Sequence, residues 1–271
     1  MPQILPYLLC SALYAVVAVL LGRTVSRPER ATFPGARALH LGTALPLTLH
    51  AILLARSVFA DGQMYLGVGN SISVIVWLTV LIYWVSGFFH RLESLQIVIA
   101  GAAAAFVLSP LALPSVHPLS HTDLPAFRLH LIISLMAYSL FMIASLQALI
   151  MALLEKRLHG GPLPAFLQSM PPLLTMEQLL FRIIATGFLL LTLTLGSGML
   201  FSEEVFGQPL RFTHKVVLGI VAWCIYAALL AGRQMYGWRG RRAVGWTLSG
   251  FAALLLAYIG SKFVIEVILH R

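Results

Sequence analysis

Residues 128–154 read RLHLIISLMAYSLFMIASLQALIMALL, and after Arg128 no formal charge follows until Glu155. A helix rising 1.5 Å per residue needs about 20 such residues to cross a hydrocarbon layer about 30 Å thick. Seven further stretches read the same way, at approximately 3–22, 39–56, 70–89, 94–113, 179–200, 214–232 and 244–268. They leave no room for a soluble domain. The predicted fold is all-α, a polytopic transmembrane helical bundle of about eight spans forming one membrane domain over 1–271.

Composition agrees. Of 271 residues 59% are apolar and 10% charged, with a mean hydropathy of +0.91. Soluble domains carry about 25% charged residues, so 18 basic and 9 acidic side chains cannot cover a soluble surface of this size. The formal charge of +9 would suggest nucleic acid in a soluble chain. Here it follows the loops. Arg23, Arg27, Arg30 and Arg37 stand in one connection, Lys156, Arg157 and Arg182 mark another, and Arg233, Arg239, Arg241 and Arg242 a third. Strongly basic loops alternate with weak ones, which predicts cytoplasmic basic loops and both termini on the outer, periplasmic side of a bacterial inner membrane. The first run lacks a positive leader segment, its first basic residue being Arg23, so it is read as a span and not a signal peptide. The bilayer is the expected partner and nucleic acid is not.

Polar groups at membrane depth are costly, so the nine histidines are sorted by depth. His90 and His159 fall in cytoplasmic loops, and His40 at the inner end of the second span reads as interfacial. His117 and His121 have Pro118 between them, which argues against a helical metal pair. His130 opens the fifth span and His214 the seventh, at similar depth on the same outer side. Two neutral imidazoles facing across a gap suit bis-axial ligation of a haem iron, so His130 and His214 are the predicted metal ligands. Arg128, Arg211 and Lys215 lie close by to pair with propionates. The segment 201–213, FSEEVFGQPLRFT, offers apolar and aromatic surface. His50, near mid-membrane, either ligates a haem deeper in the bilayer or bonds a neighbouring helix. The small residues at 101–105 and Gly196 with Gly198 suit close helix packing.

Other chemistries lack their signatures. Asp61 and Asp123 are the only aspartates, no G-x-S-x-G or Walker motif occurs, and Cys10 and Cys224 stand far apart without C-x-x-C-H. No enzyme activity is expected. Pro46 is the best candidate for a broken helix of the transporter kind.

The stretches Leu129-His-Leu-Ile-Ile-Ser-Leu-Met-Ala-Tyr-Ser-Leu-Phe141, Gly196-Ser-Gly-Met, Arg211-Phe-Thr-His-Lys215, Trp223-Cys-Ile-Tyr226 and Gly237-Trp-Arg-Gly-Arg-Arg242 resemble the cytochrome c assembly family of CcsA and CcmC type. Within it the likeness is to the shorter HemX-like branch of inner-membrane proteins, over roughly residues 40–268. The resemblance implies non-covalent haem (haem b), handled at the outer membrane face, with outer histidines as axial ligands and other cytochrome c maturation proteins as partners. His130 matches the family's first outer histidine, and His270 is placed roughly like its second. The family's Trp-rich segment ending Trp-Asp-Pro-Lys is here Leu210-Arg-Phe-Thr-His-Lys215, which loses the Trp platform and adds His214. His130 thus pairs with His214 or with His270. The first pairing is favoured because Arg271 follows His270 directly and chain ends fray. The leading expectation is a haem-binding protein assisting cytochrome c assembly. Its rivals are a scaffold or regulator of tetrapyrrole synthesis or of a neighbouring membrane complex, and a small-solute or ion transporter using His50, Lys262 and Glu266.

Overall fold

A backbone in hydrocarbon must satisfy its own polar groups, and the helix does so within one segment. The computed structural model describes residues 4–26, 35–89, 93–113, 118–119, 122, 124–158, 170–200 and 214–260. Among them, seven helical segments are long and apolar enough to cross a membrane. The eighth stretch is described as far as residue 260. The protein is an all-α polytopic bundle, and large apolar side chains such as Leu5, Leu129 and Leu189 stand exposed along it, where a soluble fold would hide them. The chain divides into two compact units, Met1–Val116 with Leu154–Pro171, and His117–Leu153 with Pro172–Arg271.

In the first unit α1 spans Ile4–Ser26, α2 Ala36–Gly42, α3 Ala44–Val58, α4 Val68–Ser86, α5 Glu93–Phe106 and α6 Ser109–Ala112. The second span is broken at Thr43, just ahead of Pro46. Proline has no N–H to offer the carbonyl four residues back, here Gly42, and its ring crowds that carbonyl. The Thr43 N–H then bonds both Leu39 O and His40 O, at 3.1 and 3.2 Å. Pro110 breaks the fourth span at 107–108 in the same way. Between α3 and α4 lies a small hairpin that the all-helical expectation omits. Strands β1 (Phe59–Ala60) and β2 (Gln63–Met64) pair antiparallel around Asp61 and Gly62, with φ of 51° and 72°. Asp-Gly at positive φ is the favoured two-residue hairpin turn.

The core of this unit includes Val17, Leu21, Leu39 and Ala100, with Ala18, Leu20 and Ile97 against them. The small residues near 101–105 let α1 and α5 approach until Ser11 Oγ donates to Ala104 O at 2.6 Å. Gly101 itself faces open space. His40, expected at the interface, is buried. Its ring stacks on Trp84 and meets Phe88 edge-on, Nδ1 lies 3.1 Å from Gln96 Oε1, and the imidazole fills the space a side chain at position 87 would need. Gly87 is what permits this burial.

The second unit holds α7 (Pro125–Leu158, its last turn counted with the first unit), α8 (Leu173–Leu200), α9 (His214–Tyr236) and α10 (Arg241–Leu255), followed by a π turn at Leu256–Gly260. Phe141 of α7 stacks on Tyr226 of α9 at 3.9 Å between centroids, and the Tyr226 hydroxyl donates to Thr247 O at 3.3 Å. Gly250 of α10 lets that ring in, since a Cβ there would lie 2.7 Å from Tyr226 Cζ. At one end of the unit, Glu177 of α8 holds Arg233 Nη1 at 2.8 Å and Arg239 Nε at 3.0 Å. The opposite end carries the candidate site.

Candidate functional site

Pro125 opens α7, where a missing N–H costs nothing, and Arg128 Nε donates to Thr122 O at 2.7 Å. His130 follows within the second turn, half-buried. Its Nδ1 lies 2.8 Å from Ser197 Oγ on α8, and Ser197 Oγ lies 3.1 Å from Thr194 O. The Ser134 hydroxyl bonds the His130 carbonyl. Gly198 packs beside the imidazole, with His130 Cε1 at ordinary contact distance, 3.5 Å, from where a Cβ would stand.

Lys215, in the first turn of α9, is close enough for its charge to act on His130. Its Nζ sits 4.9 Å from the centre of the Tyr258 ring, within cation–π range, and Tyr258 packs against Tyr138 at 5.5 Å. The start of α7, the end of α8, the start of α9 and the π turn after α10 therefore meet around one imidazole and one ammonium. Four segments distant in sequence build the site.

The structure places Lys215 at the same end of the unit as His130 and puts Arg128, exposed, two residues before His130 on α7, a spacing at which helix side chains do not share a face. His214 is the residue before Lys215, and its side chain is exposed, with no hydrogen bond or ion pair among the described residues. Arg211, His270, Lys262, Glu266 and the segment 201–213 lie outside the described residues. His50 belongs to the first unit and is fully buried. Its Nδ1 lies 3.3 Å from the Tyr14 hydroxyl and its Nε2 2.9 Å from Ser73 Oγ, so both ring nitrogens engage neighbouring helices.

Ser197 is a site residue that sequence reasoning missed, because Gly196-Ser-Gly198 reads first as a packing motif. The available signal was a hydroxyl between two glycines at membrane depth, where small residues allow close approach and a hydroxyl must find a partner. Among the described residues no three His, Cys, Asp or Glu side chains gather as a bare metal ion requires. A porphyrin iron brings four nitrogens of its own and asks the protein only for axial donors, which an imidazole supplies. The residues present fit that demand.

Fold and site together define a multi-span α-helical membrane protein with one hydrogen-bonded imidazole and a lysine ammonium at one end of a helical unit. The chain belongs to the cytochrome C assembly protein family, whose model matches residues 40–269. It is 35% identical over 237 residues to the inner membrane protein YpjD of Escherichia coli (strain K12), covering 84% of this chain and 86% of that protein. It is also 36% identical over 88 residues to the cytochrome c biogenesis protein CcsA of Prochlorococcus marinus (strain MIT 9515), covering 32% of this chain and 28% of that one.

Proposed function

We propose that this protein binds haem non-covalently and assists cytochrome c biogenesis, without making or breaking covalent bonds itself. The observation that carries the reading is the His130 imidazole, hydrogen-bonded with Ser197 at the end of the unit that also carries the Lys215 ammonium, in a chain of the cytochrome c assembly family. Bound haem would supply an iron that takes nitrogen donors and two carboxylates. His130 and His214, which adjoins Lys215 in sequence, would hold that iron, with His270 as the competing second donor. Lys215, Arg128 and Arg211 would receive the propionates as charge-assisted pairs. His50, with both nitrogens engaged, holds α1, α3 and α4 together in this reading.

The name of the Escherichia coli relative supports an inner-membrane location. We assign the His130 end to the outer side, because the basic residues at 233–242 mark the other end of α9 as cytoplasmic.

The test is the absorption spectrum of the detergent-purified protein with and without added haem. A Soret band that shifts on reduction and disappears in both His130→Ala and His214→Ala is the expected result. A protein that stays colourless after haem supplementation overturns the reading. Loss in His130→Ala and His270→Ala but retention in His214→Ala reassigns the second ligand.

A further inference from the structure

The short connection between α9 and α10, residues 237–240, is pinned along its length. Gly237 and Gly240 bound it at φ of 64° and 54°, a region that glycine enters without strain. The Trp238 N–H donates to Gly232 O at 3.1 Å, and Arg233 Nη1 donates to Trp238 O at 3.3 Å. Arg239 Nε and the Gly240 N–H both donate to Glu177, at 3.0 and 3.3 Å. So held, the Trp238 indole covers Gly232, where a Cβ would stand 2.5 Å from its Cδ2. It meets the Trp246 ring of α10 at 5.3 Å between centroids. Both indoles are half-buried, and neither ring N–H has a hydrogen-bond partner among the described residues.

Cations gather around this pair. Arg233, Arg239, Arg241 and Arg242 stand within ten residues, and Glu177 engages the first two. Four positive charges against one carboxylate leave a surplus of three. Arg239 reaches Glu177 through Nε and is still 54% exposed. Arg241 and Arg242 are exposed and make no ion pair among the described residues. Arg242 and Trp246 are four apart on α10 and so share a face. A topology signal asks only for basic residues in a loop. It has no need of paired indoles or of a connection tied down on both sides.

The depth is that of a headgroup. The 23 residues of α9 span a hydrocarbon layer and end at Tyr236, so Trp238 and the arginines lie at the membrane boundary. Indoles settle there with the ring in the apolar layer and the N–H toward polar groups, and a guanidinium grips a phosphate with two parallel hydrogen bonds. We propose that Trp238, Trp246, Arg239 and Arg242 form a binding site for a phospholipid with a negatively charged headgroup. The guanidiniums take the phosphate and the indole N–H groups donate to headgroup or ester oxygens. A zwitterionic lipid has the same phosphate, but its ammonium would add to the positive surplus, so the anionic lipid is preferred. The site lies at the opposite end of the unit from His130 and does not depend on haem.

The test is lipid selectivity read by tryptophan quenching. The protein is reconstituted in phosphatidylcholine vesicles in which part of the lipid is replaced by brominated phosphatidylglycerol or brominated phosphatidylcholine. Wild type should be quenched more strongly by the brominated phosphatidylglycerol at equal mole fraction, and Trp246→Phe should lose most of that difference. Arg242→Gln, which breaks no contact within the fold, should lower the relative affinity for phosphatidylglycerol by about fivefold, the weight of one surface cation. Arg182→Gln, the same loss of charge at an exposed position of α8, should keep the wild-type selectivity. Equal quenching of wild type by the two brominated lipids overturns the proposal. So does wild-type selectivity in Arg242→Gln, or an equal loss in Arg182→Gln, which would reduce the effect to general surface charge.

Discussion

Glu177 shows what a single charge does in this molecule. Its side chain is 8% exposed and accepts from Arg233 and Arg239, while its second oxygen lies 3.3 Å from the Gly240 N–H. One carboxylate therefore ties the end of α9 and the turn before α10 to the start of α8. Removing one partner of a fully buried pair costs about 3–5 kcal/mol. Arg239 is half exposed and water relieves part of that loss, so Glu177→Ala should cost about 1–3 kcal/mol in a denaturant titration of the detergent-solubilised protein. Glu177→Gln, which keeps an acceptor for Gly240, should cost less. Arg241→Ala, which removes an exposed cation two residues beyond Arg239, should stay within about 0.5 kcal/mol of wild type. His40 gives a second residue-scale test. A Cβ at position 87 would lie 2.9 Å from His40 Nδ1 and nearer still to Cε1, so Gly87→Ala should expel the ring from its place on Trp84. The expected cost is about 1–3 kcal/mol, together with a changed tryptophan emission spectrum.

Between elements, closeness of approach decides which small residues matter. Gly69 of α4 faces the main chain of α6: a Cβ there would sit 2.5 Å from Ser109 O and collide with Leu113 O. Backbone oxygens cannot swing aside as side chains do. Gly69→Ala should therefore destabilise by about 3 kcal/mol or more, the upper end for overpacking. Gly101 lies in the run GAAAA and meets nothing within 4 Å, so Gly101→Ala should be neutral or stabilise the helix by up to about 1 kcal/mol. The same melting experiment reads both. The small residues at 101–105 and Gly196 with Gly198 both suggest close approach; Ala104 meets Ser11 and Gly198 meets His130, whereas Gly101 and Gly196 face open space and nothing local points to Gly69. Small side chains state that approach is permitted; only the neighbour's position states where it happens. Pro46 is easier to read, because the missing N–H acts within its own helix, and Pro110 carries the same local signal inside a stretch, 94–113, that reads as one unbroken span. The Asp-Gly turn at 61–62 is equally legible, being local, although it sits between two apolar spans that dominate the hydropathy.

At the scale of the whole molecule, charge and helix ends should agree. Within the second unit, His130, Ser197 and Lys215 gather at one end, and Glu177, Arg233 and Arg239 at the other. The 23 residues of α9 rise about 34 Å between them, enough to cross the hydrocarbon layer. Single cysteines placed at 128 and at 241, in a variant lacking Cys10 and Cys224, should therefore label from opposite faces with a membrane-impermeant maleimide. Position 128 should react in intact spheroplasts, and position 241 only after lysis. Labelling of 241 in intact spheroplasts would reverse the orientation argued from the basic loops.

What the sequence by itself determined is what acts along one stretch of chain. Length and apolar content specify helices that cross a membrane, because hydrocarbon forbids unpaired backbone over about 30 Å. His130 and His214 stand out as candidates by their depth at helix starts, Lys215 by its place next to His214, and His50 by its cost at mid-membrane. The tertiary structure alone decided the partners. No spacing rule joins His130 to Ser197, 67 residues away, or His50 to Tyr14 and Ser73. It also decided that His40, at a span's end, would be buried against Trp84 and Phe88. Helices in a bilayer present apolar surface to lipid and protein alike, so hydrophobicity does not choose which faces meet. That choice rests on shape and on a few hydroxyls and rings finding one another, and those terms become visible only when the helices are together.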